Sequence, residues 1–411
     1  MQCLFLRLVL AGASLRGASR LLAIFAQAAG WSWLIPHWTT GRLWLLRLGH
    51  AVLTMPKTRA DDWAWLIDHS VQVGQEKCLV ILGIRLRDLP PPGQCLTHAD
   101  LCLLALVPRK SWTRHEVDEQ LETLAQETGV PRVIVDDHGV DISGGVRFFQ
   151  DRHPQTAEIY DAKHKAACLL KGGLEKNPRW HDFQKLLTQT RCAIQQTELG
   201  FLTPPGPKPK ARFMNLTATL RWAANVLTVL AQPPAVVQER IRPERLREKL
   251  GWLQEFTSDL NEWSEWQEVA NVVVAFVNRQ GISRKAAQTL HGALPKTNHA
   301  SSRRLAQELM AFVVGQAQQM KPAERFPGST EVLESCFGRF KQLEKQQARS
   351  GFTSLLLGFG ALVTETTTHA VQKALDHSAT KDVTAWCKQH LGMTVFSQRK
   401  LAFAECATKA A

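Results

Sequence analysis

Residues 132–139, RVIVDDHG, place a short apolar run directly before two acids and a glycine. A run of β-branched residues bounded by turn formers is typical of a buried strand. Residues 63–68, WAWLID, follow the same plan, because this apolar run also ends in an acid. The fold prediction is built on these two acid-terminated strands.

Further elements are predicted around these two strands. Residues 78–86 would form a hairpin with the first strand, joined to it by the polar stretch 69–77, and residues 101–107 would add a third strand. Thr113 and Glu116 form a capping box that opens an amphipathic helix before the fourth strand, at residues 132–136. The predicted elements that follow it are a short helix near 146–150, a strand at 157–160 and a helix from Asp161 onward.

This order predicts an α/β fold with a mixed sheet flanked by helices. Three antiparallel strands come first, and crossover units follow them. Because crossovers are nearly always right-handed, the fourth strand is expected to lie parallel beside the first. Asp68 and Asp137 should then become neighbours at one edge of the sheet.

Paired carboxylates suit phosphodiester chemistry. Two Mg²⁺ ions roughly 4 Å apart can activate a nucleophile and compensate the charge on a leaving oxygen. Mg²⁺ prefers hard oxygen ligands, which Asp and Glu provide. An Asp at a strand end can instead be a turn former or a helix cap, and for any single acid that alternative stays open.

Three runs of the chain together resemble the RNase H-like DDE transposases of bacterial insertion sequences. They are residues 67–84 (IDHSVQVGQEKCLVILGI), 133–146 (VIVDDHGVDISGGV) and 329–345 (STEVLESCFGRFKQLEK). The resemblance extends from about residue 61 to the C-terminus. It implies a catalytic core that binds Mg²⁺ or Mn²⁺, as two ions, through Asp68, Asp137 and Glu334.

The resemblance also ranks the alternatives for two of these positions. In the family, the second acid follows a strand and precedes a glycine, which favours Asp137 over Asp136 and over Asp141. The third acid lies on a helix with a Phe three residues later and basic residues beyond it. Glu334 meets that pattern with Arg339 and Lys341 following, while Glu331, one helical turn earlier, remains its rival.

Asp161 and His164 resemble a Cys/Asp-x-x-His signature found between the second and third acids in several transposase superfamilies. We take the pair as a supporting motif and not as a metal site. The alternative is a helix-capping Asp with a surface His on the first turn.

From Asp137 to Glu334 the spacing is 197 residues, which leaves room for an insertion. Residues 172–327 are rich in helix formers and resemble the all-α insertion domain of some transposases. Helices are predicted at 181–199, 213–230, 243–277 and 301–321, with a Pro- and Lys-rich linker at 202–210. Its tryptophans are expected mostly to be core residues, although one could stack on a flipped base; they are Trp180, Trp222, Trp252, Trp263 and Trp266.

The charge of the chain favours a polyanionic partner. The 50 Lys and Arg outnumber the 37 Asp and Glu, for a net charge of +13. Residues 1–60 contain no acid. In residues 1–55, Ser14 and Thr39 can cap two helices of helix-turn-helix type, so that Arg16, Arg42 and Arg47 would contact DNA. A signal peptide or a membrane-surface helix is the alternative.

The remaining features set the expected context. The nine cysteines show no zinc spacing, which favours reduced thiols in a cytoplasmic, nucleoid-associated protein. No run reaches the ~20 apolar residues of a membrane span. Residues 328–411 would carry the third acid, Arg339 and Lys341 on a DNA-facing surface, and helices that close the layer over the sheet.

The sequence therefore predicts a transposase that binds double-stranded DNA at transposon ends, cleaves it and joins it to target DNA. A homodimer or larger assembly on DNA is expected. Two alternatives stay open: another RNase H-like nuclease such as a resolvase, and a domesticated copy that only binds DNA.

Overall fold

The structure is a computed structural model that describes residues 1–73, 76–206, 213, 216–346, 353–393 and 395–409. Side chains are described for all of these except residues 70–73, 76, 395–396 and 405–409. Residues 207–210 of the predicted linker lie outside the described part. The chain divides into two compact units, Met1–Ile159 with Ser329–Ala411 and Tyr160–Gly328.

The first unit contains a five-stranded mixed sheet with the order β3-β2-β1-β4-β5. Its strands are β1 Trp63–Val73, β2 Glu76–Arg85, β3 Cys102–Arg109, β4 Val133–Asp136 and β5 Ala157–Tyr160. The first three strands pair antiparallel, whereas β4 pairs parallel with β1. The prediction that the fourth strand lies parallel beside the first is confirmed.

Helices are numbered in chain order. Those that precede the second unit are α1 Gln2–Leu10, α2 Leu15–Ala29, α3 Trp38–Thr54, α4 Arg114–Thr128 and α5 Val140–Arg152. The second unit is helical and contains α6 Ala162–Leu174, α7 Pro178–Ile194, α8 Leu216–Ala231, α9 Ala235–Gln238, α10 Pro243–Leu250, α11 Thr257–Gln280, α12 Arg284–Ala293 and α13 Ala300–Ala317. The chain then returns to the first unit with α14 Glu331–Glu344, α15 Gly358–Leu362, α16 Thr368–His377, α17 Thr380–His390 and α18 Val395–Lys409.

Helices α4 and α5 cover one face of the sheet. Trp65, Ile67 and Ile134 of the sheet share a buried core with Val117 of α4 and Phe149 of α5. The predicted capping box of α4 is confirmed. The helix predicted near 146–150 is longer than expected. Its glycines lower helix propensity but allow α5 to lie close to α4, since a Cβ at Gly145 would lie 2.6 Å from Val117.

The other face is covered by helices from both ends of the chain. Helix α14 packs on β1, and α3 and α17 pack on β3. Helix α3 also packs against α2, α15 and α16. The approach to α15 is so close that a Cβ at Gly49 would lie 1.7 Å from the carbonyl oxygen of Leu357. The N-terminal helices are therefore built into the same unit as the sheet.

Several local predictions need correction. Strand β1 continues to Val73, where residues 69–77 were expected to be a polar connection. A backbone ladder between paired strands does not require apolar side chains, so the pattern missed the extension. In the second unit, the helix expected at 243–277 is interrupted by a 3₁₀ segment at Gly251–Phe256, and α12 was not predicted.

The tryptophans of the second unit are core residues, as expected. Trp180 and Trp263 are buried, and the other three are partly buried against the same core. The eight cysteines in the described part of the chain form no disulfide. Among the described helices, none combines the length and the apolar character needed to cross a bilayer.

Candidate functional site

The pairing of β1 with β4 sets the relative positions of two predicted acids, Asp68 and Asp137. In the parallel ladder, Trp65 is opposite Ile134 and Leu66 is opposite Val135. Continuing this register by two residues sets Asp68 opposite Asp137, one residue beyond the end of β4. Adjacent strands lie about 4.8 Å apart. The extended register would set the backbones of two residues that are 69 positions apart in the sequence about one strand spacing from each other.

Asp68 lies within β1, opposite Val80 of β2, and not at a strand end as predicted. Strand alternation sets it on the face opposite Ile67, which belongs to the core under α4 and α5. The next residue, His69, contacts the Trp112 ring on that core side, with 5.9 Å between ring centroids. Asp68 consequently belongs to the face on which α14 packs.

Asp137 is held by its own turn. The backbone N–H of Gly139 donates to Asp137 Oδ1 at 2.9 Å. A Cβ at Gly139 would lie 3.1 Å from the same oxygen, closer than a side chain normally approaches. A side chain at position 139 would therefore have to displace the Asp137 carboxylate by a few tenths of an ångström. Asp137 is partly exposed, which leaves the group reachable from solvent.

Glu334 lies in the first turn of α14, the helix that packs on β1. Its backbone N–H donates to the carbonyl oxygen of Thr330, and Phe337, three residues later, is buried. The Phe that the resemblance places three residues after the third acid is thus an inward-facing core residue. Glu331 begins the same helix, and both acids are partly buried.

Asp136 has a different environment from its neighbour Asp137. Its side chain is completely buried. Its Oδ1 accepts the backbone N–H of His138 at 2.8 Å, while its Oδ2 is buried without a hydrogen-bond partner among the described residues. Burial, followed by the negative charge of Glu158, raises the pKa of Asp136 to about 7.

His138 and Glu158 complete a second group of side chains beside Asp136. The His138 Nε2 atom lies 3.3 Å from Glu158 Oε1 and 3.7 Å from Asp136 Oδ1. His138 is the one non-glycine residue with positive φ in the described part of the chain, at 58°. Burial lowers the pKa of His138, but the two carboxylates outweigh burial, so the net shift is upward. Sequence reasoning missed this group; Asp-x-His spacing was its only local signal.

His69 was also missed by sequence reasoning. Its ring is partly buried, and its Nε2 atom makes no hydrogen bond within the described residues. Burial, and then the charge of Lys77, lower the pKa of His69. Asp141, the less favoured alternative for the second acid, lies 4.0 Å from the ammonium group of the same lysine. Asp141 is therefore engaged in a surface ion pair.

Asp161 and His164 lie in the second unit, where Asp161 caps α6. Asp161 is buried and caps α6, where its Oδ1 accepts the backbone N–H of His164 at 2.7 Å. This is the helix-capping alternative that the sequence left open. The His164 ring is partly buried, where that alternative placed it on the surface.

The predicted DNA-binding arginines of α3 bond within the protein. Arg47 donates to the carbonyl oxygens of Ser378 and Leu375, at 2.6 and 2.5 Å. Arg42 donates to Ser354 Oγ at 2.6 Å, and burial lowers its pKa. The helix begins at Trp38 after the cap His37, so Thr39 is not its cap as predicted. These bonds fix α3 to the C-terminal segment.

The other predicted basic residues differ in exposure. Arg16 is exposed and lies over the Trp38 ring, 5.0 Å from its centroid. Ser14 caps its helix, as predicted. Arg339 donates to the carbonyl oxygen of Leu10 at 3.2 Å, whereas Lys341 is exposed. Arg16 and Lys341 are thus the two of these five that present their charge to solvent.

No protein-family model matches this chain, and no curated protein matches its sequence. The geometry of the first unit is therefore the basis for a functional assignment.

Proposed function

We propose that the first unit is an RNase H-like catalytic core that cleaves and joins DNA in the manner of a DDE transposase. The observation that carries the proposal is the register of β1 and β4, which sets Asp68 level with Asp137. The antiparallel trio with a parallel fourth strand supports the fold, because it is the arrangement predicted from the order of the strands and helices.

The three acids suit Mg²⁺ or Mn²⁺. Asp68, Asp137 and Glu334 offer hard oxygen donors, from two adjacent strands and from the helix packed on one of them. Ions held there would activate water or a 3′-hydroxyl and compensate the charge on the leaving oxygen. The three residues would hold the ions and orient them toward the scissile phosphate.

The surrounding residues would keep that arrangement rigid. The Gly139 N–H fixes the rotation of the Asp137 carboxylate. The buried Phe337 anchors the turn of α14 that carries Glu334. A site held on strands and on a packed helix limits misplacement of its ligands, which matters because small shifts are costly in catalysis.

Double-stranded DNA is the proposed partner. The net charge of +13 favours a polyanion. We assign phosphate contacts to the exposed Arg16 and Lys341, and a structural role to Arg42 and Arg47, because their guanidinium groups bond within the protein. Sequence reading is not assigned to α3, since most of its length is packed.

The test uses the purified full-length chain, Mg²⁺, and labelled DNA that contains the flanks of its own gene. We expect nicks that leave 3′-hydroxyl ends and the joining of those ends to a target plasmid. Asp68→Asn, Asp137→Asn and Glu334→Gln should each lower cleavage by about 100-fold or more, because each removes a ligand worth several kcal/mol in the transition state. DNA binding measured by gel shift should persist.

Asp141→Asn is the matched control, since Asp141 lies four residues from Asp137 and pairs with Lys77 on the surface. It should retain cleavage within a few-fold. Cleavage without added divalent ions, or an equal loss in the control, would contradict the proposal. Cleavage without joining would favour the resolvase alternative, and loss in Glu331→Gln but not in Glu334→Gln would move the third ligand.

A further inference from the structure

Asp136, His138 and Glu158 converge from three consecutive stretches of the first unit. Asp136 ends β4, His138 lies in the turn after it, and Glu158 belongs to β5, the next strand of the sheet. One ligand atom from each of the three lies within 4.8 Å of the others. Alternation of side chains along β4 sets Asp136 on the face opposite Asp137.

The separations between these atoms match those around one small cation. Ions that bind nitrogen and oxygen ligands at about 2.0–2.2 Å in tetrahedral geometry separate those ligands by about 3.3–3.6 Å. The distances from His138 Nε2 are 3.3 Å to Glu158 Oε1 and 3.7 Å to Asp136 Oδ1. A bound ion would need only small shifts of side chains.

An independent observation concerns the second oxygen of Asp136. The side chain is 0 % exposed, and Oδ2 makes no hydrogen bond within the described residues. A buried polar atom without a partner is costly, and such atoms in native proteins often point to an ion or a water. A cation bound by this carboxylate would remove that cost.

We propose that Asp136, His138 and Glu158 bind one divalent transition-metal ion of the zinc type. An imidazole among the ligands favours Zn²⁺ over Mg²⁺, which prefers oxygen ligands and keeps its waters. Three protein ligands leave a fourth position for water on the side of His138, whose side chain is 35 % exposed. This site is distinct from the acids of the proposed nuclease and does not rest on that function.

The ion would also stiffen the turn that carries Asp137. Asp136 and His138 flank that residue in sequence, and both would be fixed by a shared ion. A ligand such as Asp137 that is already held in position loses less conformational freedom when it binds its own ion. The ion of the second site would then help to position Asp137.

Cobalt titration of the metal-free, full-length chain tests the proposal. In excess Mg²⁺, which would occupy the three acids of the proposed nuclease, we expect one Co²⁺ per chain, with the visible absorbance of a nitrogen- and oxygen-ligated ion, displaced by an equivalent of Zn²⁺. His138→Asn and Glu158→Gln should each weaken binding at least about 10-fold. Asparagine is used at 138 because it tolerates the positive φ of that position.

Asp137→Asn and Glu334→Gln are the matched controls and should leave Co²⁺ affinity unchanged. Circular dichroism verifies that each variant is folded. Absence of stoichiometric binding, retention of affinity in both ligand variants, or equal loss in Asp137→Asn would each overturn the proposal. Because the readout is absorbance and not DNA cleavage, failure of this site leaves the nuclease proposal to its own test.

Discussion

Two carboxyl groups, Glu265 in the second unit and Asp136 in the first, have pKa values shifted in opposite directions. Glu265 of α11 accepts the backbone N–H groups of Asn298 and His299, at 3.0 and 3.2 Å, and the Asn298 amide at 3.1 Å. Burial opposes its ionisation, but these donors prevail and lower the pKa of Glu265 to about 2. Asp136 accepts one backbone N–H, and its pKa rises to about 7.

The difference lies in the supply of hydrogen-bond donors. Glu265 meets the backbone ahead of α13, where N–H groups have no partner within the helix. Asp136 meets the end of a strand, where one N–H turns toward it and Oδ2 is left without a partner among the described residues. An acid surrounded by donors serves the fold, whereas an acid short of donors is suited to bind a cation.

Asp136→Asn should give the largest change, and it should stabilise the protein. Between pH 4 and pH 7 the folded state retains a proton that the unfolded chain has released, because the folded pKa is raised. The contribution of Asp136 to the stability of the wild type therefore falls as pH rises through this window. With EDTA present at pH 8, we expect the Asp136→Asn substitution to raise the free energy of unfolding by on the order of 2 kcal/mol.

Urea denaturation at pH 5 and pH 8 measures this effect. The gain should shrink at pH 5, where Asp136 is already largely protonated in the folded state. A destabilised Asp136→Asn protein at pH 8 would show that the charged carboxylate is well accommodated without a metal, and the contrast with Glu265 would fail.

Glu265→Gln should have a smaller effect of opposite sign. The amide keeps one acceptor oxygen but loses the charge, so we expect a loss of about 1–2 kcal/mol at pH 7. The lowered pKa means that the contribution of Glu265 is present above about pH 4.5 and disappears as pH falls toward 2. Denaturation followed by tryptophan fluorescence should show the variant and the wild type converging in acid.

Arg152→Ala should give the smallest change. Arg152 of α5 bonds Asp118 and Glu122 of α4, at 2.5 and 2.8 Å, but its side chain is 47 % exposed. Exposed ion pairs contribute little, so we expect a loss of about 0.5–1 kcal/mol that falls with added salt. A loss larger than that of Glu265→Gln would mean that the number of charged contacts matters more than burial.

Local features of the fold were predictable because they depend on neighbouring residues. Apolar runs marked the first four strands, Ser14 and Thr113 were recognised as helix caps, and a cap was the alternative left open for Asp161. The extent of α5 was not predictable, because its glycines lower helix propensity while allowing close contact with α4. The hydrogen bond from Arg47 to the carbonyl oxygen of Ser378 joins residues 331 positions apart, so no local sequence pattern predicts it.

The candidate site divides in the same way. Asp68 and Asp137 were singled out because each follows an apolar run, and their shared level follows from a parallel pair of strands. No rule of strand pairing connects Glu334 to these two acids, and that residue was chosen from the resemblance alone. The group of Asp136, His138 and Glu158 escaped notice because it requires β5 to lie beside β4.

By itself, the sequence determined the approximate positions of the five strands and of several helices, where some of those helices begin, and that two strands carry acids near one edge of a sheet. Only the tertiary structure decided that Asp136 is buried beside His138 and Glu158 while Asp137 remains accessible. Consecutive residues of a strand point to opposite faces, and the partners on each face come from distant parts of the chain. The environment of each acid is therefore set by long-range packing, which local sequence patterns do not encode.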